Sequence, residues 1–374
     1  MNPNISEVIE ENHVLHFTLS GLNVSLANAL RRIILSEIPT LAFITENHNE
    51  NTCNIEINTS RLHNEIIRQR LGCIPIHMDV NMNSDETDPL TGKYILEVEV
   101  NNNTENILYV TTEDFKIKNK ITNNYLTDVE TRKIFPKNPI SQSYIDFVRL
   151  RPKISDMIPG EQLKLTSEFS ISTAKENSMY NVVSICSYSN TIDIIKKNEI
   201  WENKLNELNS VDGITKEEIE FQKKNFDLLD AQRYFIPDSF DFVIQTIGVF
   251  DNNDIVKRGC VVLQHKFIDF IKQIDADVVP INKSETTIDN CYDIVLENED
   301  YTMGKAIEFV LHDMFYKKEK KLSYCGFKKF HPHDNESILR IAFHENMDKT
   351  EARQCLRTSC VIVQDVFKKI YAMF

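Results

Sequence analysis

The chain has 374 residues, 41% of them hydrophobic and 26% charged, with a formal net charge of −14. The length allows more than one folded core, whereas the acidic balance argues against a chain that grips nucleic acid by itself, because phosphate contacts need clustered lysines and arginines. There is no N-terminal apolar run and no span near about twenty apolar residues, so neither secretion nor membrane insertion is expected, and eight cysteines without close pairs read as reduced thiols in a cytosolic setting.

The first element is a strand: Leu15, Phe17 and Leu19 alternate with polar His16, Thr18 and Ser20. Ser25 then stands where it can cap the orphan amides of a helix, and Leu26, Leu30, Ile33, Ile34 and Ile38 fall on one face of that helix. From about residue 60 to 233 the chain reads as an inserted domain, with strand signals at 94–100, 163–172 and 182–188. Residues 199–234 are highly charged and open a helix with the capping box Thr215-x-x-Glu218, either a particular contact element or a solvated helical pair. A strand carrying Phe242, Ile244 and Thr246 follows, ahead of Gly248, and then a helix striped by Ile255, Val262, Leu263, Phe267, Phe270 and Ile274.

A polar linker containing Pro280 separates this from a second copy of the opening pattern. Tyr292, Ile294 and Leu296 alternate with polar neighbours, Thr302 stands at the helix start, and Met303, Ile307, Val310, Met314 and Phe315 make the stripe. Positions 302 and 25, 294 and 17, and 307 and 30 all differ by 277, so the register never slips. Two copies of one supersecondary unit are the expectation. The second continues through a strand apolar at 339, 341 and 343 into a terminal helix striped by Cys355, Leu356, Cys360, Val363, Phe367 and Ile370. Residues 291–374 alone bury little apolar surface, so such a unit wants a partner of its own kind.

Chemistry is sparse. The chain has no phosphate-binding Gly-Lys-Ser/Thr loop, no His-Glu-x-x-His, no Gly-x-Ser-x-Gly and no run of paired aspartates. His331, His333 and Asp334 are candidate metal ligands, but two histidines in a loop are more simply solvated, and Cys355 and Cys360 on a striped helix are small core side chains. No catalytic, cofactor or metal residue is assigned, and no enzymatic activity of its own is expected.

Asn28-Ala29-Leu30-Arg31-Arg32-Ile33-Ile34-Leu35-Ser36 with Ile38-Pro39 resembles the alpha motif of the alpha-type assembly subunits of multisubunit DNA-dependent RNA polymerases. Asn58-Thr59-Ser60, Leu62, Glu65 and Arg70-Leu71-Gly72-Cys73-Ile74-Pro75-Ile76 resemble the stretch that opens the insertion domain of the eukaryotic and archaeal members. Glu299-Asp300-Tyr301-Thr302-Met303-Gly304 and Phe330-His331-Pro332-His333 are similar to the small partner subunit, the eleventh of polymerase II. The resemblance thus covers nearly the whole chain, in family order, and looks like the third-largest and eleventh subunits fused in one polypeptide.

That resemblance implies an α+β fold of two alpha-like dimerisation modules, each a small antiparallel sheet plus two helices, packed as an intramolecular pseudo-heterodimer. Residues 1–59 and 234–276 would form the first module, 60–233 a mixed, mainly β insertion domain, 277–290 a linker and 291–374 the second module. It further implies a noncatalytic platform that docks the largest and second-largest polymerase subunits, together with small subunits, with little direct nucleic-acid contact and no membrane. Fusions of this kind are expected in large DNA viruses of eukaryotes, hence in cytoplasmic viral factories, with the virion and the host nucleus as further locations. A homodimeric scaffold unrelated to transcription is the alternative.

Partner-binding residues follow from the matched motifs. Arg31 and Arg32 sit at the edge of the buried stripe, where guanidinium makes forked hydrogen bonds to a partner, and by resemblance this helix, with Asn28 and Glu37, docks the second-largest subunit. Asp300, Thr302 and Gly304 are the motif residues facing the largest subunit, although Lys305 stands where asparagine is usual and Glu308 where arginine is common. The segment 174–183 reads either as a loop entering a strand or, by the same resemblance, as a docking element with Lys175 and Asn177 in that role, Tyr180 replacing tryptophan and Asn181 proline. Many relatives carry a cysteine-rich metal element in the insertion domain; here the loop 78–93 has no cysteine, and Asp85, Glu86 and Asp88 occupy it, so no metal is expected.

Overall fold

The computed structural model describes residues 1–374 apart from 47–48, 79–89, 156, 211–214 and 286. Strands β1 (Asn4–Glu11) and β2 (Val14–Ser20) lead into helix α1 (Val24–Ser36). Then come β3 (Thr40–Ala42), β4 (Asn54–Asn58), α2 (Asn64–Gly72), β5 (Tyr94–Asn101), β6 (Leu108–Thr111) and β7 (Lys116–Asn119). They are followed by α3 (Asp128–Ile134), β8 (Asp146–Leu150), β9 (Gln162–Glu168), β10 (Ser170–Ser172) and β11 (Val183–Ile192). Helices α4 (Ile194–Asn209) and α5 (Lys216–Leu228) precede β12 (Phe235–Thr246) and α6 (Asn252–Asp275). The remaining elements are β13 (Ile281–Lys283), β14 (Cys291–Glu297), α7 (Tyr301–Leu311), β15 (Leu322–Lys328), β16 (Glu336–Phe343) and α8 (Lys349–Tyr371).

The chain divides into two compact units, one of Met1–Ile34, Ile185–Gln245 and Asn252–Phe374, the other of Leu35–Ser184 and Thr246–Asp251. The first holds two four-stranded sheets, ordered β1-β2-β12-β11 and β13-β14-β16-β15. Both are built by one succession, two strands, a helix, two strands and a helix: β1, β2, α1, β11, β12, α6 and again β13, β14, α7, β15, β16, α8. Strands β2 and β14 begin at 14 and 291 and helices α1 and α7 at 24 and 301, which keeps the 277 spacing. The later helices keep a step of 100 instead, so that Ile255, Gly259, Cys260, Leu263 and Phe267 of α6 match Cys355, Ser359, Cys360, Val363 and Phe367 of α8, all of them buried.

Local chemistry explains these elements. Asn12 and His13, both with positive φ (51° and 63°), make the two-residue turn whose twist suits the β1–β2 hairpin. Phe17 of β2 stacks on its cross-strand partner Phe242 of β12 at 5.1 Å, and Phe374 meets Phe17 edge-on at 5.0 Å. Helix α6 lies against α8, and α7 also packs on α8. Gly259 of α6 sits against α1, since a Cβ there would stand 2.8 Å from Ile34 Cγ1. Helix α6 also lies on β2, and α7 on β15 and β16.

The second unit has a four-stranded sheet ordered β4-β9-β5-β7 and the two-stranded pairs β6-β8 and β3-β10. Its core includes Phe43, Leu96, Val98, Phe115, Phe147, Leu163 and Leu165. Phe115 meets Phe135 and Phe147 edge-on at 5.3 and 5.4 Å. Thr127 and Glu130 close a capping box at the start of α3.

Several boundaries differ from the sequence expectation. Residues 40–58, expected in the first module, supply β3 and β4, which pair with β10 and β9 of the second unit. Strand β11, expected inside the insertion, is the fourth strand of the first sheet, and α4 and α5 fill the connection between β11 and β12. The expected linker 277–290 contains β13, whose Ile281 pairs with Ile294, so the connection between α6 and β13 shrinks to 276–280. Ile38 lies beyond α1, because Pro39 disfavours helix in the residue before it. Met314 and Phe315 lie in a π-helical turn, His312–Lys318, that extends α7.

Candidate assembly surface

The two motif helices begin in the same way. Asn23 Oδ1 accepts the Ser25 amide at 3.0 Å, and Asp300 Oδ1 accepts the Thr302 amide at 2.8 Å. The caps are therefore Asn23 and Asp300, again 277 apart, and not Ser25 and Thr302. Short Asx side chains reach the amide two residues on, whereas Thr302 is buried in the first turn of α7. The recurrence of Asx two residues before Ser or Thr was a readable signal for this.

Arg31 and Arg32 take different roles. The Arg31 guanidinium donates to Asn28 Oδ1 through Nε at 3.0 Å and Nη2 at 2.8 Å, which fixes it along α1. Its charge also acts on β11: burial pushes the Cys186 thiol up to about 12, against the pull of Arg31. Arg32 forms an ion pair with Asp300, each side chain 37% exposed. Two motif residues from opposite ends of the chain thereby meet, and Asp300 serves both as helix cap and as counter-ion. Next to it Lys266 of α6 pairs with Glu299 at 3.3 Å.

Gly304 is required by packing, since a Cβ would fall 2.1 Å from Cε2 of Phe327, whose ring meets Tyr301 edge-on at 5.2 Å. Lys305 and Glu308, at the positions matching Asn28 and Arg31, bond each other at 2.5 Å. Position by position, the polar pair of α1 is replaced on α7 by a self-neutralised one.

Glu37, Lys175 and Asn177 come together in the second unit. Lys175 Nζ lies 3.8 Å from Glu37 Oε1, and its amide donates to the Ser36 carbonyl at 2.8 Å. Asn177 caps the short 3-10 turn Ser178–Tyr180 through the Met179 amide and donates to Glu46 Oε2 at 3.2 Å. Tyr180, in the tryptophan position of the resemblance, is buried and hydrogen-bonded to Ser170 at 2.7 Å.

Among the described residues, no group of three or more His, Cys, Asp or Glu is placed to hold a metal ion. His331 Nδ1 accepts the His333 amide at 3.2 Å, and Asp334 accepts the His331 amide at 2.9 Å, a local turn. Asp85, Glu86 and Asp88 lie outside the described residues. Among those described, no helix is long and apolar enough to cross a membrane.

Comparison with known proteins points the same way. The conjugation stage-specific protein of Tetrahymena thermophila is 28% identical over 296 residues, covering 69% of this chain and 90% of that protein. The DNA-directed RNA polymerases I and III subunit RPAC1 of Bos taurus is 25% identical over 314 residues, 74% of this chain and 85% of its own length. The DNA-directed RNA polymerase subunit Rpo3 of Pyrococcus horikoshii is 26% identical over 276 residues, 69% and 92% respectively. The RNA polymerase Rpb3/Rpb11 dimerisation domain matches residues 16–267, more than half of the chain, and the chain therefore belongs to that family of polymerase subunits.

Proposed function

We propose that this chain is a noncatalytic assembly platform of a multisubunit DNA-dependent RNA polymerase, carrying two alpha-like halves that pair within one polypeptide and dock the two largest subunits. The observation that carries this reading is the doubled succession of strands and helices in one compact unit, with α6 against α8 and the Arg32–Asp300 ion pair joining the two motif helices. Nucleotide addition belongs to the partners. In this reading Arg31, ordered by Asn28, contacts the second-largest subunit together with Glu37, and α7 with Thr302 and Gly304 contacts the largest. Lys175 and Asn177 serve a docking edge of the insertion domain, which also receives small subunits. A fused platform of this kind belongs to a viral transcription apparatus working in the cytoplasmic factory.

Affinity purification of the tagged chain from its native system tests the proposal. Recovery of two very large subunits, with template-dependent RNA synthesis in the eluate, is the expected result. Recovery of the chain alone, or only with further copies of itself, overturns it in favour of a homodimeric scaffold.

A further inference from the structure

The two spacings, 277 for the motif helices with the strands before them and 100 for the later helices, assign the residues of these elements in one half counterparts in the other. Contacts between these elements of the two halves then come in pairs, and at two beside the start of α7 the members are chemically unlike. Lys266 of α6 pairs with Glu299 at 3.3 Å, both side chains about one-fifth exposed. The counterpart of Lys266 is Val366 and that of Glu299 is Leu22, each almost wholly buried. Arg32 pairs with Asp300, whereas their counterparts are Phe309 and Asn23.

We infer that these charges make the pairing of halves selective: the first half accepts the second and rejects another copy of itself. In a pairing of two first halves, Lys266 would face Leu22 and Arg32 would face Asn23, and each would lose the contact to Glu299 or Asp300. In a pairing of two second halves, Glu299 would face Val366 and Asp300 would face Phe309. A half-buried charge against an apolar surface is strongly disfavoured, because it loses solvation with no partner in return. Lys266–Glu299 is the stronger discriminator, since Arg32 and Asp300 are each 37% exposed and screened by solvent. The device matters because the halves are joined by only 276–280, a hinge reaching about 17 Å, and short hinges invite exchange of halves between chains.

The inference rests on the reading of the two halves as paired modules, and its test needs no other polymerase subunit. Three full-length variants suffice: Lys266→Glu, Glu299→Lys, and both together. Each single variant places like charges at the joint, which exchange of halves with an identical chain does not relieve, and is expected to lower Tm by roughly 5 °C. The double variant restores the pair with inverted sign and is expected to run as a monomer in size-exclusion chromatography with light scattering, with Tm near wild type. The two single variants, coexpressed with different tags, copurify as a 1:1 dimer, because exchange of halves gives each its complementary charge. Single variants with wild-type Tm, or a double variant no better than the worse single one, would overturn the inference while leaving the assembly role standing.

Discussion

Asp293 and Arg340 show how one residue pair fixes a strand register. They are direct cross-strand partners on β14 and β16, and the guanidinium forks onto the carboxylate at 2.6 and 2.8 Å, with Ser284 Oγ, just past β13, donating at 3.0 Å. The hydrogen bonds from Arg340 hold the Asp293 carboxyl below its usual range. The unfolded chain therefore takes up that proton more readily, so the pair's contribution is present above about pH 4 and is lost as pH falls through the lower folded value. Arg340→Gln should cost about 2 kcal/mol at pH 7, and denaturant titrations at descending pH should show the gap to wild type closing in the acid range. Gly304 gives a steric counterpart: Gly304→Ala drives a methyl into the Phe327 ring and should cost about 1–3 kcal/mol, with Phe327→Leu in the same chain recovering part of the loss. Thiol reactivity follows burial. Cys73 is exposed, while burial raises the Cys53 and Cys355 thiols to about 11 and those of Cys186 and Cys325 to about 12. Near neutral pH one thiol per native chain should react rapidly with a colorimetric disulfide reagent, and the others only on unfolding.

At the scale of elements, the sequence carried what is local and repeated. The alternation at Leu15, Phe17 and Leu19 and at Tyr292, Ile294 and Leu296 is the alternation of β2 and β14, and the stripes of α6 and α8 are buried apart from half-buried Val262. What stayed hidden depends on pairing across long separations. Strand β11 is an edge strand with mostly exposed or half-buried side chains, so no local pattern assigns it to the first sheet. Strands β3 and β4 are short, and their partners lie more than a hundred residues away. Strand β13 has three residues, too few for a period of two to register. Of the candidate surface, the sequence offers residue identities only: Asn28, Arg31, Arg32, Asp300 and Gly304 stand in the matched motifs, and their docking role is the proposal above. Hidden was the meeting of Arg32 with Asp300, which needs two helices from opposite ends of the chain to be placed side by side.

For the whole molecule, the consequence of the doubled architecture is stoichiometric. On the proposed pairing of two modules within one polypeptide, a chain that holds both needs no second copy, and an assembly built on it should contain one. The isolated chain should accordingly run as a monomer, as the asymmetric charges at Lys266–Glu299 and Arg32–Asp300 require. Native mass spectrometry of the complex purified through a tag on this chain reads that stoichiometry. One copy of this chain with one copy of each of two very large subunits is the expected mass; two copies of this chain in the complex, or a homodimer without the large subunits, would rule the platform out.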